Sequence, residues 1–283
     1  MIFIYDSSDN LLFSRRFLIY ENLATIDAGV FRSRDLTQFA THQTVQFSVS
    51  PIGFNLRNPN TDLKIALLQN EQWDLVKTIS KPQYVIGQQL HYRYDTPLRF
   101  EGGNEFFFFD TKDNRTVNPS ISHVEQEDIY HTYLFTDPER KNYPYTFNPD
   151  INGDFAINTI QGQDPSIEAD YTQVYFSLAK QYTLQEEEIY IYGKFSNYEL
   201  NDQYRMTYNP SYEVYEGTLL LKQGFYNYKY VWKSKENIDK NKISGSYTDT
   251  ENQYLILVYT RMVGNQFDSL IGAKTLSSFE IEN

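Results

Sequence analysis

The chain has 283 residues, which suggests two domains at roughly 150 residues per domain. Its 37 acidic residues against 25 basic ones give a formal net charge of −12, and an acidic chain repels the phosphates of nucleic acid. Cysteine is absent, which excludes disulfides and thiolate metal sites. Aromatic residues make up 17% of the chain, which excludes a disordered chain and favours β-strands.

The first twenty residues predict a β-hairpin. Met1–Tyr5 is apolar, Asp6–Asn10 is a polar turn, and Leu11–Tyr20 contains the second strand. The apolar stretch lacks the cationic start and the small-residue cleavage site of a signal peptide, so a strand is the better interpretation. Because a lone hairpin is marginal in water, we expect these residues to end a domain whose upstream part is missing from this chain.

Alternation of apolar and polar residues predicts strands over most of the remaining chain. Val45, Phe47 and Val49 show the pattern, and Glu105–Asp110 is expected to be a strand buried on both faces. An acidic, proline-containing stretch at Gly162–Asp170 separates two sets of strands. The later set is predicted at Tyr171–Leu178, Glu188–Phe195, Tyr212–Leu221, Tyr226–Lys233 and Gln253–Thr260. The fold class is therefore all-β, with sandwiches or barrels.

Catalytic motifs are not evident in this sequence. The four histidines, at positions 42, 91, 123 and 131, lack the spacing of a zinc-protease motif, and no nucleophile elbow or phosphate-binding loop occurs. A glycosidase carboxylate pair could exist among the many acids, although the sequence does not select one. We predict that the protein is not an enzyme and uses no cofactor.

One acidic segment has the spacing that begins a calcium-binding loop. Asp150, Asn152 and Asp154 match it, but Phe155 and Gln161 stand where that loop needs glycine and a bidentate glutamate. We therefore predict an ordinary turn between strands and no metal site.

The strongest aromatic stripe lies between Phe225 and Trp232. In a strand, Tyr226, Tyr228, Tyr230 and Trp232 would share one face, with Lys229 on the other. Such a face could contact a glycan or a protein, or it could be half of a sandwich core.

The C-terminal part resembles the immunoglobulin-like modules that bind glycogen and starch. The resemblance is carried by Ile189–Tyr198, Met206, and Tyr212–Val231. Tyr198 stands where those modules have a sugar-stacking tryptophan, and Lys229 matches their frequent lysine. The resemblance implies tandem immunoglobulin-like β-sandwich domains, and it makes Tyr198, Tyr228, Lys229 and Trp232 the candidate contacts for a glycan or a protein partner.

A longer resemblance, to the plug proteins of the type IX secretion system, covers nearly the entire chain. Eight short segments carry it in order: Phe13–Phe17, Thr41–Gln43, Ile65–Asp74, Gly102–Phe106, Asp150–Phe155, Glu168–Tyr171, Leu220–Tyr228 and Thr248–Asn252. Members of that family are exported to the periplasm and consist of β-sandwich domains in series. Relative to that family we expect residues 1–21 to be the terminal hairpin of a missing domain, 22–165 a middle sandwich and 166–283 a C-terminal immunoglobulin-like sandwich.

The resemblance implies a non-enzymatic periplasmic protein that docks on the outer-membrane translocon barrel and plugs its periplasmic opening. The implied partner is that barrel, without nucleic acid and without a membrane-spanning segment in this chain. A carbohydrate-binding protein that recognises a glycan through aromatic residues is the alternative from a different class. A glycoside hydrolase is the third function that the sequence leaves open.

Overall fold

The computed structural model describes residues 2–9, 11–180, 187–235, 237–262, 264–279 and 281. Strand accounts for 45% of the residues and helix for 6%, so the predicted all-β class is confirmed. Met1 and Asn10 of the predicted hairpin lie outside the described residues. Within the described ranges, no helix has the length and apolar character needed to cross a membrane.

The strands of the first half of the chain are β1 (Ile2–Tyr5), β2 (Leu11–Arg15), β3 (Ala24–Arg32), β4 (His42–Pro51), β5 (Leu63–Gln69), β6 (Lys77–Ile79), β7 (Tyr84–Ile86), β8 (Gln89–Tyr92), β9 (Arg99–Glu101), β10 (Phe107–Asp110), β11 (Ile121–Gln126) and β12 (Tyr130–Leu134). Those of the second half are β13 (Phe155–Ile157), β14 (Tyr171–Ala179), β15 (Glu188–Tyr192), β16 (Thr207–Asn209), β17 (Val214–Lys222), β18 (Gly224–Lys233), β19 (Ile238–Asp239), β20 (Gln253–Thr260) and β21 (Ser269–Ser277).

Helical structure is short. The α-helical turn α1 (Pro165–Glu168) begins after Asp164, whose side chain accepts a hydrogen bond from the backbone N–H of Ser166. The 3₁₀ turns are Trp73–Leu75, Thr96–Leu98, Lys194–Ser196 and Asp202–Tyr204.

The chain forms two compact units, each assembled from separate segments. The first contains Met1–Val30, Val45–Leu98 and Tyr254–Leu276, and the second contains Phe31–Thr44, Arg99–Gln253 and Ser277–Asn283. The predicted domains 22–165 and 166–283 do not coincide with these units. Their boundary falls inside the second unit, because β13, which precedes it, pairs with β18, which follows it.

The first unit contains the four-stranded sheet β21–β20–β5–β6 and strands of the sheet β3–β4–β8–β7. Phe47 of β4 lies opposite Tyr92 of β8, and their rings stack at 4.8 Å between centroids. The Tyr92 hydroxyl donates to the carbonyl of Ser80, directly after β6, at 3.1 Å. The polar residues that alternate with Phe47, such as Gln46 and Ser48, are buried as well, so β4 is covered on both faces.

The second unit is a sandwich of two five-stranded sheets. In one, β18 pairs with β10 and β13 along its first half and with β15 and β19 along its second half. The other has the order β11–β12–β14–β17–β16, in which β12 and β14 are parallel and the other described neighbours are antiparallel. The core between the sheets includes Phe109, Phe176, Ile191, Tyr226, Tyr228 and Tyr230.

Strand β10 differs from its prediction. Phe109 is fully buried, but Phe108 is 40% exposed, so the strand is not buried on both faces. Phe109 stacks on Tyr226 at 5.1 Å in the core, whereas Phe108 meets Phe225 on the opposite face. The four consecutive phenylalanines hide this difference, because a run without polar residues carries no alternation.

These two neighbouring phenylalanines provide a test of the sandwich. We expect Phe109→Ala to lower the free energy of unfolding by about 3–5 kcal/mol, because it leaves a cavity between the sheets. The matched variant Phe108→Ala should cost less than about 1.5 kcal/mol, because its ring is partly in water. Urea unfolding of both variants measures the difference, and equal losses would contradict the assigned faces of β10.

Candidate functional site

Strand β18 carries three of the four predicted contact residues. Tyr226, Tyr228 and Tyr230 belong to the core, with the half-buried Trp232 packed against it. Lys229 lies on the other face, as alternation requires. The predicted division of the stripe is therefore confirmed. Both faces of the strand are buried, which the sequence pattern did not indicate.

Tyr228 is a core residue, so of the alternatives predicted for its face the sandwich core is the one observed, and Tyr228 is not accessible as a surface contact. Its side chain is 2% exposed, and its hydroxyl donates to Asp137 Oδ2 at 2.7 Å. The Tyr230 hydroxyl donates to the same oxygen, also at 2.7 Å. Burial raises the pKa of Asp137 to about 6, and these two hydrogen bonds oppose that rise. A buried carboxylate needs such donors, so the two tyrosines serve the interior.

Lys229 is also buried, which removes it as an accessible contact. Its ammonium lies 3.4 Å from Asn241 Oδ1 and 5.3 Å from the centroid of the Phe106 ring. Burial lowers the pKa of Lys229 to about 8, and the positive charge of Lys240 acts in the same direction.

Trp232 is half-buried and already has polar neighbours. Its indole N–H donates to Glu187, and the Lys242 ammonium lies 3.1 Å from the centroid of its ring. A cation over the ring occupies one of its two faces, and a sugar cannot stack on that face.

Tyr198 ends the tight turn after β15. Its φ of 58° lies in the left-handed region, and its ring packs against Tyr192 at 5.2 Å. Its hydroxyl donates to the carbonyl of Asn152 at 3.4 Å. Tyr198 therefore braces the turn at Asp150–Asp154, and the four predicted residues do not form one exposed surface.

The turn at Asp150–Asp154 uses its carboxylates for internal hydrogen bonds. Asp150 accepts from the backbone N–H of Phe106 at 2.6 Å and from that of Asn152 at 2.7 Å. Asp154 accepts from the backbone of Phe155 and from the Lys194 ammonium, at 2.8 and 2.7 Å. Among the described residues, no group of three or more acidic or histidine side chains could hold a metal ion.

Gly153 is required inside this turn. Its φ is +82°, and a Cβ added there would lie 2.7 Å from the Phe106 ring. Both the left-handed backbone and the close ring favour glycine at this position. The turn is thus fixed by its backbone as well as by its carboxylates.

A second buried carboxyl, Glu105, lies beside Asp150. One of its oxygens accepts hydrogen bonds from the Tyr145 hydroxyl and, at 3.2 Å, from the backbone N–H of Glu251, whereas the other has no hydrogen-bond donor among the described residues. Burial raises the pKa of Glu105 to about 7, and the negative charge of Asp150 adds to this rise. The Arg140 guanidinium donates to the Glu105 carbonyl and lies 3.8 Å from the centroid of the Phe107 ring. This pair of acids resembles a catalytic pair in composition, but Glu105 is only 1% exposed.

The structure brings together two histidines that sequence analysis left apart. His123 of β11 and His131 of β12 share an outer face with Tyr133 and Tyr175, whose rings stack at 4.3 Å. Glu125 binds His123 Nε2 at 3.0 Å and accepts from the Tyr133 hydroxyl at 3.1 Å. The signal was the spacing of two between His123 and Glu125 and between His131 and Tyr133, which places each pair on one strand face.

Exposed apolar side chains are concentrated at the N-terminus. Strand β1 pairs only with β2 among the described strands, and each side chain of β1 is about half exposed. The segment after β2 adds Phe17, Leu18, Ile19 and Tyr20 to this set. We call these residues, Ile2–Tyr5 and Phe17–Tyr20, the N-terminal apolar segment.

Comparison with known proteins adds one informative match. No protein-family model matches the chain, and no curated protein matches it. Among solved structures, it is similar to the crystal structure of a hypothetical protein from Parabacteroides merdae ATCC 43184. The identity is 32% with a TM-score of 0.88, over 96% of this chain and 69% of the other.

The raised pKa of Glu105 predicts a pH dependence of stability. From its ordinary value of 4.5 up to about 7, the folded protein retains a proton that the unfolded chain releases. This stabilisation is complete below pH 4.5 and is lost as the pH rises through 7. In Glu105→Gln, the loss of unfolding free energy between pH 5 and pH 8 should be smaller than in the native protein, by on the order of 1 kcal/mol.

Urea unfolding at the two pH values measures this difference. Glu199→Gln, at an exposed acid of the same unit, is the control and should follow the native protein. Asp137 contributes a pH dependence of the same sign in all three proteins, so only the difference between variants reports on Glu105. An equal loss in native protein and Glu105→Gln would show that Glu105 ionises as in water.

Proposed function

The chain belongs to the same family as the hypothetical protein from Parabacteroides merdae, and we propose that it is a non-enzymatic periplasmic component of the type IX secretion system. Its role is to dock on the outer-membrane translocon barrel and to plug the periplasmic opening. The sequence resemblance described above names this system, and the N-terminal apolar segment is the structural observation that supports a docking role.

This segment has the composition of a protein interface. Ile2, Phe3, Ile4 and Tyr5 are consecutive residues of one strand, and each is 49–53% exposed, so apolar side chains face water on both faces of β1. Contiguous apolar exposure of this kind indicates an interaction surface. Phenylalanine and tyrosine supply large contact area at low entropic cost, and they are enriched at the centres of interfaces.

The hairpin also has backbone groups available for pairing. Its two strands pair with each other and with no other described strand. The outer edges of such a hairpin carry N–H and C=O groups that can accept a further strand. A β-rich partner such as a barrel offers both strand edges and apolar side chains.

The alternative function is recognition of a glycan, and the residues predicted to contact the glycan are buried or already engaged. Tyr228 and Lys229 are buried, and Trp232 has a cation over its ring. Tyr198 is engaged in a turn. We therefore retain the docking role and do not propose glycan binding at these positions.

The test is a pull-down of the purified, detergent-solubilised translocon barrel by the full chain. Replacing Phe3 and Ile4 together by serine should reduce retention of the barrel about tenfold, which corresponds to about 1.4 kcal/mol of lost binding energy. The double variant should fold normally, because both residues face water in the free protein.

A matched control removes exposed apolar residues elsewhere. Leu36 and Ile167 are 89% and 77% exposed, and both belong to the second unit. Their joint replacement by serine should leave retention unchanged. Light scattering shows whether the variants self-associate to different extents through the hairpin edges. Equal retention by all three proteins, or no retention by any, would contradict the proposal.

A further inference from the structure

An open cleft of about 540 Å³ lies on one sheet of the first unit. Lys64 and Ala66 of β5 point to the same face because they are two residues apart. Tyr259 of β20 pairs with Lys64, and Thr78 of β6 pairs with Ala66. The small side chain of Ala66 leaves the depression between these longer neighbours.

The floor of the cleft belongs to a small apolar cluster. Ala66 is 8% exposed and packs with the buried Leu68 and Leu257, and Tyr259 and Trp73 lie partly buried against them. A volume of several hundred Å³ over an apolar floor is the usual form of a small-molecule site. The cleft therefore offers apolar contact to a ligand of modest size.

The charged residues that line the cleft are Lys64 and Asp268, and Arg261 pairs with the same Asp268 from outside the lining. The Asp268 carboxylate accepts from the Lys64 ammonium at 2.7 Å and from the Arg261 guanidinium at 2.8 Å, so two cations share one acid. The side chains of Lys64 and Arg261 remain 56% and 58% exposed. The Arg16 guanidinium lies 3.9 Å from the centroid of the Trp73 ring, and its charge acts on the Tyr259 hydroxyl. A surplus of positive charge here contrasts with the net charge of −12 of the chain.

The combination of floor and rim defines the ligand chemistry. An apolar group would cover Ala66 and Tyr259, and a single negative charge would balance the cation that Asp268 leaves in excess. We propose that this cleft binds an amphipathic carboxylate, a short apolar group ending in one carboxylate, with Lys64 and Arg261 as its charge partners. This site is independent of the docking role proposed above.

Lys64 and Arg261 both pair with Asp268, which suits a site for a second carboxylate. Asp268 holds both side chains at the rim before a ligand arrives, which reduces the entropy lost on binding. Arginine and lysine remain able to donate to a second carboxylate, because each has further N–H groups. The site is thus partly organised in the free protein.

Isothermal titration of the full chain tests the proposal with sodium decanoate, below its micelle concentration, at low ionic strength. Decanol has the same apolar chain without the charge, and its binding should be at least about tenfold weaker. Lys64→Glu should weaken decanoate binding about tenfold or more, because it reverses the nearest charge of the rim. Lys112→Glu is the matched control, since Lys112 is 51% exposed and also pairs with one aspartate.

A second variant keeps the test decisive if Lys64→Glu does not fold. Ala66→Phe places a ring in the open cleft and should abolish binding, while its thermal melt shows whether the fold is retained. The carboxylate could come from a fatty acid or from the C-terminus of a peptide chain, so both sources are titrated. Decanoate represents the fatty acid. N-acetyl-leucyl-leucine represents the chain terminus, and its C-terminal amide is the uncharged control. Binding of either carboxylate that is lost in both cleft variants supports the proposal. Equal binding of decanol and decanoate, native affinity in Lys64→Glu, or no binding of either carboxylate would overturn it.

Discussion

The second unit depends on one strand that is buried on both faces. Strand β18 pairs with β10 and β13 along its first half and with β15 and β19 along its second half. Both faces of such a strand are covered, so polar groups on either face lie in the interior and need hydrogen-bond partners there. On the core side, Asp137 is that partner, since one of its carboxylate oxygens accepts hydrogen bonds from the hydroxyls of both Tyr228 and Tyr230.

On the opposite face of β18, the polar groups belong to the turn and the acids around Glu105. The side-chain oxygen of Asn227 accepts a hydrogen bond from the backbone N–H of Ile151 at 2.6 Å. The backbone N–H of Asn227 donates to the carbonyl of Asp154 at 3.0 Å. These contacts tie the turn directly to β18. The residues that suggested metal or acid–base chemistry, Asp150 and Glu105, are therefore engaged in holding the sandwich together, and their raised pKa values follow from burial.

Periodicity predicted the long strands well and the tertiary organisation poorly. The predicted strand Gln253–Thr260 coincides with β20, and β14 exceeds its prediction by one residue, Ala179. The sequence left two alternatives for Tyr228, a surface contact or a sandwich core, because a tyrosine on a half-buried and on a fully buried strand gives the same alternation. The unit boundaries were missed because β4 contributes Thr44 to the second unit and Val45 to the first, and no turn residue marks that change. The face with His123 and His131 required the register of β11 with β12, which neither strand specifies alone.

The two surfaces proposed for binding rely on different forces, and the composition of the chain affects them differently. The N-terminal apolar segment binds through removal of apolar area from water, which the net charge of −12 barely influences over short distances. The cleft binds an anion against that net charge, so its local cations must outweigh the field of the rest of the molecule. This requirement gives Asp268 its importance, because it pairs with both Lys64 and Arg261 and so keeps two cations beside one another at the cleft. Both surfaces belong to the first unit, whereas in the second unit the carboxylates of Asp150 and Asp137 are engaged by internal hydrogen bonds.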